Sequence, residues 1–260
     1  MEVVIAPVPE LSRIGADAVE RLLRTHSDPV LGLATGSSPL ALYDELVRRH
    51  TQEGLSFAHA VAFTLDEYIG LAEEHPERYA AVIRREFTGR VDFSAGAVHG
   101  PDGLAEDLAG AARAYEEAIV AAGGVDLQIL GIGTDGHIAF NEPGSSLASR
   151  TRVKTLAPQT RVDNARFFGG DIEQVPVHCL TQGVGTIMAA RHLLLLASGS
   201  SKAEAVAATV EGPVSAACPG SALQFHPHVT ILIDDAAASR LRFRDYYQDA
   251  WAHRLYTQSL

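Results

Sequence analysis

The chain has 260 residues, 47% of them hydrophobic, enough to bury about 70–75% of its unfolded surface in one large core. Acidic residues outnumber basic ones by 32 to 21, a field that opposes polyanions and argues against a nucleic-acid partner. No apolar run reaches the roughly 18–20 residues of a membrane span, and Met1-Glu2-Val3-Val4-Ile5 lacks the basic start of a secretory signal. Cys179 and Cys218 lie far apart without C-x-x-C spacing, which fits buried structural thiols in a reducing compartment. A soluble, cytoplasmic, single-domain protein spanning residues 1–260 is therefore expected, since no linker or internal repeat divides it.

In chain order, Val3–Ile5 reads as a strand and Glu10–His26 as an amphipathic helix with Leu11, Ile14, Ala18 and Leu22 on one face. Val30–Ala34 is a second strand, Pro39–Arg49 a helix, Val61–Leu65 a third strand, and Arg78–Phe87 a helix. Leu104–Ala121 carries Leu108, Ala112, Tyr115 and Ile119 at helical spacing. Strands at Leu127–Leu130, His192–Ala197 and Val229–Ile233 alternate with helices at Lys202–Val210 and Ala237–Tyr247. Alternation of this kind predicts an α/β fold, an open, mainly parallel, doubly wound Rossmann-like sheet with helices on both faces. The stretch from Ser145 to Pro176 is polar, aperiodic and too long for an ordinary loop, so it reads as a lid or ligand-binding excursion.

The chemistry concentrates where strands end. Gly131-Ile132-Gly133-Thr134-Asp135-Gly136-His137-Ile138-Ala139-Phe140-Asn141-Glu142-Pro143 directly follows the apolar run Val125–Leu130. It brings Asp135, His137 and Glu142 to the edge where open α/β sheets bind ligands. Its G-x-G-x-x-G letters do not make a dinucleotide site. No helix opens on Gly136, and basic Arg150-Thr151-Arg152-Val153-Lys154 stands where a ribose-binding acid is needed. Two further strand ends suit an anion. Thr35-Gly36-Ser37-Ser38 precedes Pro39 and a helix, offering free N–H groups, hydroxyls and a permissive glycine, although Ser38 as a plain N-cap is an equal rival. Ala197-Ser198-Gly199-Ser200-Ser201-Lys202 repeats the design and adds a cation without being a Walker A loop, which favours a monophosphate. Arg166, from the lid, could complete it with a bidentate fork.

Asp66 and Glu67 sit side by side at the end of the third strand. Side chains alternate across a strand, so one of them at most faces the crevice, and spacing alone leaves the choice open. His226-Pro227-His228 and His178-Cys179 lack the ligand pattern of a zinc site and read as structural, so no metal is expected. No G-x-S-x-G elbow supports an α/β-hydrolase.

Ala34-Thr35-Gly36-Ser37-Ser38-Pro39, Leu65-Asp66-Glu67-Tyr68, Asp135–Pro143, Ser145–Lys154, Arg161–Phe168, Gly183-Val184-Gly185-Thr186 and Leu223–Pro227 together resemble the glucosamine-6-phosphate deaminase family over nearly the whole chain. The run Asp-Gly-His-Ile-Ala-Phe-Asn-Glu-Pro is the most specific of these, because the related 6-phosphogluconolactonases share Asp-Gly-His and then diverge. The resemblance implies conversion of glucosamine 6-phosphate and water to fructose 6-phosphate and ammonia without an organic cofactor. It implies that Asp66 moves a proton between C2 and C1, that His137 opens the sugar ring under the influence of Asp135 and Glu142, and that Gly36, Ser37, Ser38, Arg166 and Lys202 hold the phosphate. Some members are hexamers activated by N-acetylglucosamine 6-phosphate, through positions matching Met1, Ser146, Arg152 and Lys154. The segment from Arg240 to Leu260 departs from the regulated enzymes around Tyr246 and Tyr247. A lactonase of the same fold, and a sugar-phosphate sensor without catalysis, are the competing expectations. Asp66 distinguishes the first, and the absence of a DNA-binding segment weighs against the second.

Overall fold

The computed structural model describes residues 1–254, so residues 255–260 of the divergent C-terminal segment lie outside the described residues. The first half runs β1 (Glu2–Ile5), α1 (Val8–Thr25), β2 (Val30–Leu33), α2 (Leu40–Glu53), β3 (Val61–Thr64), β4 (Asp66–Tyr68), α3 (Tyr79–Glu86), β5 (Val98–His99) and α4 (Leu108–Ala121). The second runs β6 (Leu127–Leu130), β7 (Arg152–Thr155), α5 (Pro158–Asn164), β8 (His178–Thr181), α6 (Val184–Ile187), β9 (His192–Ala197), α7 (Ala203–Val210), β10 (Val229–Ile233) and α8 (Arg244–Ala252).

Seven strands form a sheet in the order β1-β10-β9-β6-β2-β3-β5, parallel throughout. Parallel neighbours need long crossovers, and the helices in those crossovers cover both faces, which is why Leu193, Leu194 and Leu195 are fully buried despite pointing alternately. The expected mainly parallel α/β sheet is thus present. Its chain path reverses between β2 and β6: the strands first grow outward through β3 and β5, then return beside β2 and grow the other way. At such a switch point, outside the carboxyl ends of the strands, open α/β sheets place their ligand crevice.

A second sheet, β4-β8-β7, is antiparallel and small, with Asp66 opposite Thr181 and Lys154 opposite Cys179. None of its strands was expected from the sequence. In β7 the pattern is inverted: Arg152 and Lys154 are half-buried while Val153 faces solvent at 41% exposure. The stretch from Ser145 to Pro176 is accordingly more ordered than expected, holding β7, α5 and two short 3-10 turns. Beneath them Tyr68, Phe140, Leu156, Ala165, Phe168, Val175 and Cys179 form a separate apolar cluster.

Two expected helices are corrected. α4 starts at Leu108 rather than Leu104, because Asp107 accepts a hydrogen bond from the Gly110 N–H at 2.9 Å and caps the helix there. The expected helix over Ala237–Tyr247 is displaced to α8. Asp234 accepts from Ala237 N at 2.8 Å and from Gly199 N at 3.0 Å, fixing a turn that buries Ala237 and Ala238 without a helix. Among the described residues no helix is long and apolar enough to cross a membrane.

Candidate active site

After β6 the chain turns back over the carboxyl end of the sheet. Gly133 N donates to His137 O at 2.9 Å, and the His137 ring then lies so close over Gly133 that a Cβ there would come within 2.3 Å of the imidazole. Glycine is required at that position by contact. Ala139, at φ 49°, is left-handed, a conformation costing an L-residue about 1–2 kcal/mol. Just beyond this turn Phe140 N donates to Thr181 Oγ1 at 3.2 Å, tying the loop to β8.

His137 Nδ1 lies 2.8 Å from Asp135 Oδ1 and 3.4 Å from Glu142 Oε2. Neither approach is aligned with a ring N–H, so charge attraction couples the three groups more than a directed hydrogen bond does. Burial alone would lower the imidazole pKa, but the two carboxylates win and hold it at about 9. The reciprocal effect outweighs the burial of the acids, keeping Asp135 down at about 2 and Glu142 below its ordinary value. Glu142 Oε1 also accepts from Ala157 N at 3.0 Å, just before α5, so this carboxylate joins the ring-bearing loop to the segment above it.

β4 resolves the choice between the adjacent acids. Glu67 turns away from the crevice and accepts from Tyr68 N at 2.9 Å, Tyr79 N at 2.9 Å and Ala80 N at 3.0 Å. It closes the free N–H groups of α3, the role a helix-capping carboxylate fills. Asp66 points the other way, is 6% exposed and has no cation within ion-pair distance among the described residues. Its pKa is raised to about 8, first by burial and then by the Glu67 charge, with His137 and the Phe140 N–H opposing. Asp66 and His137 thus feel one another across the crevice.

The two turns expected to bind an anion lie at the same edge, beyond β2 and β9. Gly36 has φ 91° and allows the sharp bend after β2. Ser38 does not cap α2, whose capping position is Pro39 with no side-chain bond, so helix capping does not account for that hydroxyl. Pro39 accordingly precedes the first helical residue rather than opening the helix. Lys202 Nζ donates to Ile132 O at 2.7 Å, bringing the loop after β9 onto the loop after β6. Burial lowers the Lys202 pKa and Arg166 repulsion adds to it, against attraction from Asp163 and Asp135. Arg166 lies over the Phe167 ring at 4.7 Å. Lys202 and Arg166 thus lie within each other's field, with burial working against the Lys202 charge.

Ser146 lies in the loop before β7, accepting from Ala148 N at 3.3 Å. Arg152 and Lys154 share the half-buried face of β7. Arg152 donates to Arg150 O at 3.4 Å and neither cation has a carboxylate within ion-pair distance among the described residues. Met1 is elsewhere: it opens β1 at the far edge of the large sheet, where its amine acts on His228. One chain does not assemble all four positions.

Sequence reasoning missed Glu116 on α4. It accepts from Thr151 N at 2.7 Å, Thr151 Oγ1 at 2.5 Å and Thr186 Oγ1 at 2.5 Å, and pairs with Arg150. Nothing distinguishes it from other helix-face acids in the sequence. Asn141 and Gln182 were missed as well, though Asn141 sits inside the most specific motif. Among the described residues, ligand-type atoms converge closely enough for a cation at Asp135, His137 and Glu142, where the imidazolium already carries the positive charge. His226 is held by Ala190 O at 2.8 Å and by the backbone of His228, and His192 stacks on His228 at 3.7 Å.

A parallel sheet whose switch point gathers an imidazole between carboxylates, a buried unpaired aspartate and two cations defines an enzyme for small anionic substrates. Residues 8–231 match the family of glucosamine-6-phosphate isomerases and 6-phosphogluconolactonases. A glucosamine-6-phosphate deaminase of Beutenbergia cavernae is 66% identical over 253 residues, covering 97% of each chain. That of Mycolicibacterium smegmatis is 66% identical over 96% of this chain and 97% of its own. The solved structure of a monomeric glucosamine-6-phosphate deaminase superimposes with TM-score 0.90 at 44% identity, covering 92% of this chain and all of its own. The 6-phosphogluconolactonase of Trypanosoma brucei shares the fold, with TM-score 0.73 at 20% identity over 92% of this chain and 98% of its own. The chain belongs to the glucosamine-6-phosphate isomerase/6-phosphogluconolactonase family.

Proposed function

We propose that this chain is a glucosamine-6-phosphate deaminase, releasing fructose 6-phosphate and ammonia from glucosamine 6-phosphate and water in the cytoplasm. The observation that carries the reading is Asp66, a buried carboxylate without a cation, raised to about 8 and facing the same crevice as His137. Ester hydrolysis of a lactone needs no base between neighbouring carbons, whereas an aldose–ketose shift does.

In this reading Gly36, Ser37, Ser38, Arg166 and Lys202 hold the phosphate through free N–H groups, hydroxyls and charge. His137, kept protonated by Asp135 and Glu142, gives its proton to the ring oxygen and takes up the proton of the C1 hydroxyl as C1 becomes an aldehyde and the sugar opens. Asp66 takes the proton from C2, and the electron pair of that C–H bond becomes the C1–C2 double bond of an enolamine while the C1 oxygen regains its proton from His137. Returning the proton to C1 leaves an imine at C2, which water hydrolyses to the ketose and ammonia. All of this lies in one domain, with residues 145–176 closing over the crevice through the Glu142–Ala157 bond.

The reading extends to regulation. Ser146, Arg152 and Lys154 would bind N-acetylglucosamine 6-phosphate as activator, with Met1 supplied by a neighbouring copy in a hexamer. What supports this is the half-buried Arg152, whose burial lowers its pKa with no carboxylate to offset it. Activation is checked by substrate titration with and without the acetylated sugar in wild type and Arg152→Ala, alongside the mass in solution. Superimposable wild-type curves would remove the activator. The central test measures ammonia and fructose 6-phosphate from glucosamine 6-phosphate, with 6-phosphogluconolactone hydrolysis as the rival assay. Lactone turnover without ammonia would overturn the deaminase reading.

A further inference from the structure

Asp66 and the His137–Glu142 pair come from segments far apart in sequence, yet they must sit at a fixed separation if one group opens the ring and the other moves the proton. The residue between them is Gln182, just after β8, 1% exposed. Its backbone N–H donates to Leu65 O at 2.8 Å and its Nε2 to Thr64 O at 3.1 Å. Those are the two residues before Asp66. Thr64 O is also the acceptor of the Tyr115 hydroxyl at 2.5 Å, so the strand end is gripped from two sides. On its other side the Gln182 carbonyl accepts from Asn141 Nδ2 at 2.8 Å. Asn141, the residue before Glu142, is fully buried and uses the same amide nitrogen to hold Ile138 O at 3.0 Å.

One short strand end is therefore hydrogen-bonded both to the segment that delivers Asp66 and to the segment that delivers Glu142 and His137. The amide orientation of each side chain follows from its acceptors: only an N–H can face Thr64 O, and only an N–H can face two carbonyls at Asn141. Asn141 Oδ1 is left buried without a partner among the described residues. Such a group is destabilising, and packing alone would be better served by leucine. We propose that Gln182 and Asn141 are positioning residues, a clamp that sets the separation between the carbon-proton base and the ring-opening acid. This rests on the deaminase reading above for the chemistry it serves.

The test uses Gln182→Met and Asn141→Leu, which keep size and remove the amide bonds, with Gln182→Glu as a variant that also keeps a polar end. The expected result is kcat lower by about 10-fold or more at each site with KM for glucosamine 6-phosphate changed less than about threefold, since the phosphate anchors lie in other loops. The double variant should lose little beyond the worse single variant, because both act on one separation. A readout independent of turnover is the NMR titration of the His137 imidazole. Asn141→Leu, by releasing Glu142, should shift it downward from the wild-type position. If the folded variants keep kcat, or if the His137 titration stays put while melting temperature alone drops, the clamp is overturned and both residues are only structural. A wild type that releases neither ammonia nor fructose 6-phosphate, with the Asn141→Leu titration still shifted from it, would instead overturn the deaminase reading and leave the positioning of His137 by Asn141 standing. Should Asn141→Leu not fold, Gln182→Glu decides by the same kcat-against-KM criterion.

Discussion

The two sheets differ in what their strands are used for. In the seven-stranded sheet almost every side chain is buried and apolar, and none of the strand residues of β2, β6 or β9 performs chemistry; the functional groups begin in the loops beyond them. In the three-stranded sheet the strands themselves carry the candidate groups: Asp66 on β4, and Arg152 and Lys154 on β7. The large sheet gains its stability from apolar area, and its few polar side chains, such as Gln128 and His192, are buried among it. The small one is stitched by backbone hydrogen bonds over a modest second cluster, and several of its side chains are polar. The large sheet positions Asp135, His137 and Glu142 in a loop beyond its strands, whereas the small sheet presents Asp66 from a strand itself.

The sharpest way to break that division is Asp66→Asn. Loss of the base should lower kcat by about 10²–10⁴-fold, while stability moves the other way. Asp66 has a folded pKa of about 8 against the ordinary 3.8, so the fold favours its protonated form and loses stability as pH rises from 3.8 toward 8. A neutral amide removes that loss, and calorimetry at pH 7 should show a melting temperature a few degrees higher. An inactive but destabilised variant would contradict the assignment of Asp66 as an unpaired base.

The mirror experiment is Leu194→Ala in the middle of β9. It should cost about 2–5 kcal/mol by denaturant titration and leave KM and kcat of the surviving folded enzyme nearly unchanged. Lys202→Ala and Arg166→Ala come next, each removing a charge-assisted bond to a dianion worth about 1.5–3 kcal/mol, so KM should rise about 10–100-fold with little change in melting temperature. Unaltered KM in both would place the phosphate elsewhere. The most gradual effect, spread over the acid range, belongs to the amino end of the large sheet. His192, stacked on His228, is pushed down to about 3 by burial and its histidine neighbours, against 6.5 unfolded. The unfolded chain therefore binds the extra proton as pH drops below 6.5, and stability should fall by up to about 1.4 kcal/mol per pH unit down to about pH 3. Denaturation midpoints of wild type and His192→Asn from pH 7 to 4 would separate this contribution from other acid effects.

The same division explains what was legible in the sequence. Strands such as Leu127–Leu130, His192–Ala197 and Val229–Ile233 announce themselves because burial on both faces leaves an unbroken apolar run. β4, β7 and β8 are short, polar-bearing and stabilised by partners distant in the chain, and β7 turns its valine outward, so no local pattern marks them. Asp135, His137 and Glu142 were legible because they share one loop. The choice of Asp66 over Glu67 came from the family resemblance and not from spacing, since alternation says only that the two diverge. What decides it is α3, whose exposed N–H groups claim Glu67. Asn141 and Gln182 meet across 41 residues of sequence, and Gln182 reaches Thr64 across 118, which no spacing rule reaches.

That claim on Glu67 has a consequence for how this protein can change. The carboxylate that starts α3 also stands beside Asp66 and raises its basicity. A substitution that neutralised Glu67 would therefore be felt twice, once as a frayed helix and once as a weaker base next door. Selection for a sound scaffold and selection for turnover fall on one codon, and a designer who wished to retune Asp66 would have to find α3 a different cap first.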